Sequence, residues 1–153
     1  MINLKSLIIN LAISLGTGIL SALITRNSMG IYQKINLPKL APPSILFPIV
    51  WTVLFILMGI SSYIIFESNS SQKKNALKIY AVQLIINFIW PILFFNLNLY
   101  LISFIWIIIL LILILLMINL FKKISNIAAY LQIPYLLWVT FASYLNFMIY
   151  YLN

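Results

Sequence analysis

The side chains in this sequence that could do chemistry are few, and most are aromatic or amide-bearing. There are four tryptophans, Trp51, Trp90, Trp106 and Trp138, and the amides Gln83, Asn87 and Asn146 stand inside apolar runs. Glu67 is the sole acidic residue, and Cys and His are absent. That removes disulfides, thiolate nucleophiles and the imidazole that serves most metal sites and acid–base catalysis. A paired-carboxylate mechanism lacks its second side chain, so conventional hydrolase, metalloenzyme and proton-relay readings fall away. What remains can stack, exchange hydrogen bonds and, at tryptophan, give up an electron.

Spacing groups these residues. Gln83, Asn87, Trp90 and Phe94 fall at i, i+4, i+7 and i+11, and Trp51, Phe55, Met58 and Ser62 repeat the pattern. Trp138, Ala142 and Asn146 follow at i, i+4 and i+8. On a helix each set forms one stripe. Trp51, Trp90 and Trp106 each lie about six to eight residues from corresponding ends of their apolar runs, roughly 10 Å deep on a helix. Taken singly, each has an ordinary explanation, since Trp favours membrane interfaces and buried amides bond neighbouring helices. Jointly, three stripes at one depth point to an aromatic-lined cavity with a few amide groups, suited to a flat, mostly apolar ligand.

The elements that must carry these stripes are membrane-spanning helices. Hydrophobic residues make up 65% of the 153-residue chain and charged residues 7%. Average soluble domains are about a quarter charged, so this composition cannot cover a water-facing surface. Crossing the hydrocarbon core takes about 20 apolar residues. Five stretches qualify, at residues 4–25, 44–66, 77–96, 99–121 and 127–151. They predict an all-α membrane protein, a single domain of five transmembrane helices, with residues 26–43 as the one sizeable loop.

The apolar run from Leu7 to Ile24 follows Lys5 but is long for a signal-peptide core, which spans about 7–15 residues, and is read as a retained first helix. The net charge of +8 lies between apolar runs, which reads as topology rather than nucleic-acid binding. Lys5, Lys73, Lys74, Lys78, Lys122 and Lys123 share one side, against Arg26, Lys34 and Lys39 on the other. That bias predicts a plasma-membrane protein with its N-terminus in the cytoplasm and its C-terminus outside. Ser14, Gly18 and Ala22 form a small-residue row expected to pack within the bundle, with a dimer seam as the alternative. The fourth stretch, nearly all Ile and Leu, is expected mainly to face lipid. Pro91 and Pro134 are expected to kink their helices. An odd helix number without an internal repeat argues against an inverted-repeat transporter.

Several segments carry a resemblance. Leu37-Pro38-Lys39-Leu40-Ala41-Pro42-Pro43, then Phe47-Pro48-Ile49-Val50-Trp51-Thr52-Val53-Leu54-Phe55 and Met58-Gly59, resemble the translocator protein family, also called tryptophan-rich sensory proteins or peripheral benzodiazepine receptors. Gln83-Leu84, Asn87, Trp90 and Phe94-Phe95 resemble its third-helix signature. Pro134-Tyr135-Leu136, Trp138, Phe141-Ala142 and Leu145-Asn146 resemble its fifth.

The resemblance implies a five-helix bundle, often dimeric, binding porphyrins and benzodiazepine-type ligands beneath the first loop. It carries over Trp51 and Trp138 as pocket tryptophans, and Asn87, Ala142 and Asn146 as residues lining or bracing the pocket. Bacterial relatives are implicated in light-dependent protoporphyrin breakdown, which marks Trp51 and Trp138 as the suspected participants. Phe55 and Trp90, with Tyr32, Pro42 and Pro43 on the loop, complete the expected ligand-binding set.

Two positions depart from the family pattern. Leu40 and Ile45 replace the usual loop tryptophans, which bears on loop closure and ligand preference. No basic residue follows Tyr150-Tyr151, so the family's cholesterol motif is absent. The expected function is that of a membrane receptor or sensor for protoporphyrin IX. The lack of His favours the metal-free ligand, with Arg26, Lys34 and Lys39 placed to meet its propionates. No metal or cofactor is required. The alternatives are a tetrapyrrole transporter or facilitator, and a regulatory membrane partner protein.

Overall fold

The computed structural model describes residues 2–153. Its helices are α1 (Leu4–Thr25), α2 (Leu46–Glu67), α3 (Lys73–Pro91), α4 (Tyr100–Lys122), α5 (Asn126–Tyr130) and α6 (Ile133–Leu152). The α3 helix continues as a π-helical turn over Ile92–Asn96, and α5 and α6 together make one crossing. Five spans are therefore long and apolar enough to cross a membrane, and the chain is an all-α membrane protein.

The α1 helix shows what a lipid solvent selects. Its buried residues are Ser6, Asn10, Ser14, Ser21 and Thr25, while Ile8, Ile9, Ile13, Ile19, Leu20 and Leu23 are exposed. Lipid is as apolar as Leu, so small and polar groups rather than large apolar ones draw such helices together. The seam against α2 is close. A Cβ on Gly18 would collide with the Phe55 ring, and one on Gly59 would stand 3.0 Å from the Leu11 Cα. Ser62 Oγ donates to Asn10 Oδ1 across the same seam at 2.8 Å. Of the small-residue row, Ser14 and Gly18 thus pack inside the bundle, and Ala22 is exposed.

The two prolines act where expected, in different ways. Pro91 has no N–H to return to the preceding turn, and the helix widens immediately after it. Leu97 N bonds Ile92 O at 3.1 Å, and Asn98 then turns the chain with a φ of 54°. Pro134 lies in the first turn of α6, a position where its missing N–H costs little, and the crossing breaks just before it at Leu131–Gln132. Ser61 Oγ on α2 donates to Ala128 O near that break at 2.7 Å.

The fourth crossing is largely open, as expected, with 28% of its span buried, but it is not lipid-facing all round. Ser103, Ile107, Leu110, Ile114, Met117 and Phe121 form a buried stripe along α4, which packs against both α3 and α6. Only the opposite face, with Ile102, Ile105, Ile109 and Ile112, is open to lipid. Ser103, Met117 and Phe121 mark the packed stripe, while the Ile and Leu residues around them do not distinguish the two faces. The most exposed crossing is α1, with 17% of its span buried against 28% for α4.

A candidate ligand cavity beneath the first loop

The loop between α1 and α2 folds over one end of the bundle. It holds a 3₁₀ turn, Met29–Gln33, that presents Tyr32 inward, and Tyr32 Oη donates to Pro42 O at 2.9 Å. Burial pushes the Tyr32 phenol above its ordinary range, so it remains a donor. Farther along, Asn36 N donates to Asn153 Oδ1 at 2.9 Å, and Asn153 Nδ2 donates back to Asn36 O at 3.0 Å. The loop is thus closed on itself and fastened to the end of α6.

Beneath it lies a cavity of about 110 Å³ walled by α1, α2 and α3. Trp51, Phe55, Asn87 and Trp90 line it, as the stripes predict. Gly18, Ser21, Ala22 and Thr25 line it as well. Sequence reasoning assigned Gly18 and Ala22 to packing or a dimer seam and gave Ser21 and Thr25 no role, although a run of small side chains fits a cavity wall as well. A second space of about 20 Å³ lies between the loop, α3 and α6, bounded by Tyr32, Trp90, Ala142 and Asn146. Trp90, Phe95 and Phe47 border both. Phe47 stands four residues before Trp51, on the same i, i+4 stripe, and could have been read from it.

The amides brace these walls. Trp90 Nε1 donates to Asn146 Oδ1 at 3.1 Å, and Asn146 Nδ2 donates to Ala142 O at 2.8 Å. Asn87 Nδ2 donates to Tyr135 Oη at 2.7 Å, and that hydroxyl donates to Gln83 Oε1 at 2.7 Å. Tyr135, wholly buried and 6.2 Å from Trp51 between ring centroids, is the hub that spacing missed. It is one of four tyrosines in α6, and spacing within that helix gives no sign that two amides of α3 converge on it.

The structure separates one pair that the sequence joined. Trp51 faces the main cavity, whereas Trp138 borders a lipid-facing groove between α2 and α6, with Val50, Leu54 and Phe141. Pro42 and Pro43 shape the loop, Pro42 through its bond to Tyr32, and border neither space beneath it. Arg26, Lys34 and Lys39 are exposed at the loop end. The arrangement offers aromatic faces, two amide braces and no acidic or basic side chain within the walls, which suits binding of an apolar ring system.

Comparison with known proteins agrees with this geometry. A model of the TspO/MBR family matches residues 9–152. The tryptophan-rich protein TspO of Archaeoglobus fulgidus is 36% identical over 152 residues, covering 99% of both chains. That of Chlorobaculum tepidum is 36% identical over 126 residues, covering 80% of this chain and 78% of its own. The translocator protein of Ovis aries is 31% identical over 119 residues, 76% of this chain and 70% of its own.

Proposed function

The chain belongs to the TspO/MBR family, and from that premise we propose that it is a membrane receptor for metal-free protoporphyrin, held beneath the first loop. The observation that carries this reading is the cavity itself, where Trp51, Phe55 and Trp90 present rings and Asn87 an amide under a fastened loop. Flat conjugated ligands gain from such rings through offset stacking as well as burial. The exposed Arg26, Lys34 and Lys39 stand at the end where propionates would emerge, and the loop side faces away from the cytoplasm by charge bias. No His is present to ligate haem iron, which favours the metal-free macrocycle.

Ligand pockets commonly measure about 300–1,000 Å³. At about 110 Å³ the closed cavity takes part of a macrocycle, and the walls must separate to admit the rest. The test is competition: protoporphyrin bound in nanodiscs is displaced by a benzodiazepine-type ligand if both use this cavity. Non-competitive binding, or none, overturns the assignment.

A catalytic extension follows from Trp51 on the cavity wall. An excited porphyrin at that site has an electron donor beside it, and light-driven breakdown needs neither His nor carboxylate. Illumination of the complex separates the two readings, since bleaching no faster than that of free porphyrin leaves binding alone. Transport is the less favoured reading, because the walls carry no acidic or basic side chain to couple a path.

A further inference from the structure

We propose that the lysine-rich end of the α3–α4 hairpin binds the headgroup of an anionic phospholipid, whose phosphate is met by Lys78 and Lys123 with Lys74 and Lys122 beside them. The site lies at the end of the bundle opposite the first loop, and the inference stands independently of the porphyrin reading.

Packing brings these lysines to one level. The α3 helix starts at Lys73 and α4 ends at Lys122, and the two helices pack together, so the first turns of one lie beside the last turns of the other. The Tyr80 and Phe121 rings meet between them with centroids 6.3 Å apart. Lys78 and Lys123 each stand two residues beyond that contact, toward the same end. Both are exposed, as are Lys74 and Lys122. Lys73 is engaged elsewhere: its Nζ donates to Phe66 O at 2.9 Å and lies 5.6 Å from the centroid of the Phe66 ring.

The chain does little to neutralise the other four. Glu67, the sole acidic residue, ends α2 and is one carboxylate against a cluster of ammonium groups. Helix electrostatics accounts for only part of the cluster. Lys122 suits the last turn of α4, but Lys74 stands in the first turn of α3, where the helix dipole disfavours a cation. Like charges at one level repel, and an external anion relieves that repulsion.

Position in the bilayer identifies the anion. Lys78 shares its face with Val82 and Ile85 at i+4 and i+7, and Lys122 follows Leu115 at i+7. Val82, Ile85 and Leu115 are exposed, so the lysines continue lipid-facing stripes out to the headgroup level. There a Lys stem lies along apolar surface while its ammonium reaches the polar layer. The anions of that layer are lipid phosphates, and basic clusters at the ends of membrane helices suit them. A lipid seated on this cluster lays its acyl chains along the same stripes.

The test is native mass spectrometry of the full chain in detergent, titrated with phosphatidylglycerol or phosphatidylcholine. The parent should retain phosphatidylglycerol at about tenfold lower lipid concentration than phosphatidylcholine. The double variant Lys78→Gln, Lys123→Gln should lose that preference, whereas Lys78→Arg, Lys123→Arg should keep it. The pair Lys34→Gln, Lys39→Gln at the loop end should keep it too. A parent without preference, or a Gln pair that retains it, overturns the site. Loss in the Arg pair would trace the effect to disturbed packing, and equal loss in the loop-end pair to net charge alone; either result overturns the site as well. Inorganic phosphate should leave the lipid bound, and its displacement of the lipid would overturn the assignment to a membrane lipid.

Discussion

Trp90 on α3 and Asn146 on α6 are joined by an indole-to-amide hydrogen bond of 3.1 Å, and that bond stands in the wall between the two spaces under the loop. Both residues are buried, and Asn146 is fixed in turn by its bond to Ala142 O. The bond ties the third and last crossings together at the depth of the second space.

Asn146→Leu removes the acceptor and leaves the Trp90 N–H unpaired. Hydrogen bonds between membrane helices average about 0.6 kcal/mol, and an orphaned buried donor costs about 1–3 kcal/mol. We expect a loss of about 1–2 kcal/mol, read by thermal unfolding in detergent, with weaker porphyrin binding. Unchanged stability would mean that water replaces the amide.

Tyr135→Phe deletes the hydroxyl that accepts from Asn87 and donates to Gln83. Two buried amides lose a partner at once, so the cost should be about 1–3 kcal/mol despite the loss of a single atom. Adding Gln83→Met should recover part of that loss, because the unpaired acceptor is then gone. Denaturation of the two variants side by side checks the sign.

These two bonds show how far the sequence could be read. The stripes at Trp51, Asn87 and Asn146 were legible because helical spacing converts position directly into a shared face. The five crossings were legible because lipid demands long apolar runs. Phe47, four residues before Trp51, could have been read from the same stripe, whereas the role of Tyr135 depends on which helix faces which, and spacing within one helix carries no such information. The inward face of α4 was marked only by Ser103, Met117 and Phe121 within a run of Ile and Leu. Trp138 matched the family pattern, yet its placement in the groove between α2 and α6 is a matter of ring orientation.

Gly59→Ala sets a methyl 2.9 Å from Leu11 Cδ2 and 3.0 Å from its Cα, so α1 must shift away from α2. Overpacking of this kind costs about 1–3 kcal/mol. Gly16→Ala meets nothing within 4 Å and should be neutral or stabilising, by up to about 1 kcal/mol. The pair of melting temperatures, one lowered and one not, distinguishes a close helix seam from general sensitivity at glycine.

Asn153→Ala releases the reciprocal amide bonds that fasten the loop at Asn36. Because this clasp is exposed, stability should fall by less than about 1 kcal/mol. Loop opening should become more frequent, raising the porphyrin dissociation rate several-fold in stopped-flow displacement. A parental rate would show that the Tyr32–Pro42 bond alone keeps the loop closed.

The central claim is that the Trp51-lined cavity is the porphyrin site, and a Soret-band titration of protoporphyrin in nanodiscs tests it most directly. Parent protein and Trp51→Ala are compared after their melting temperatures show both to be folded. The account predicts saturable one-site binding to the parent and at least tenfold weaker binding to Trp51→Ala. Equal affinity for the two would place the ligand elsewhere and contradict it.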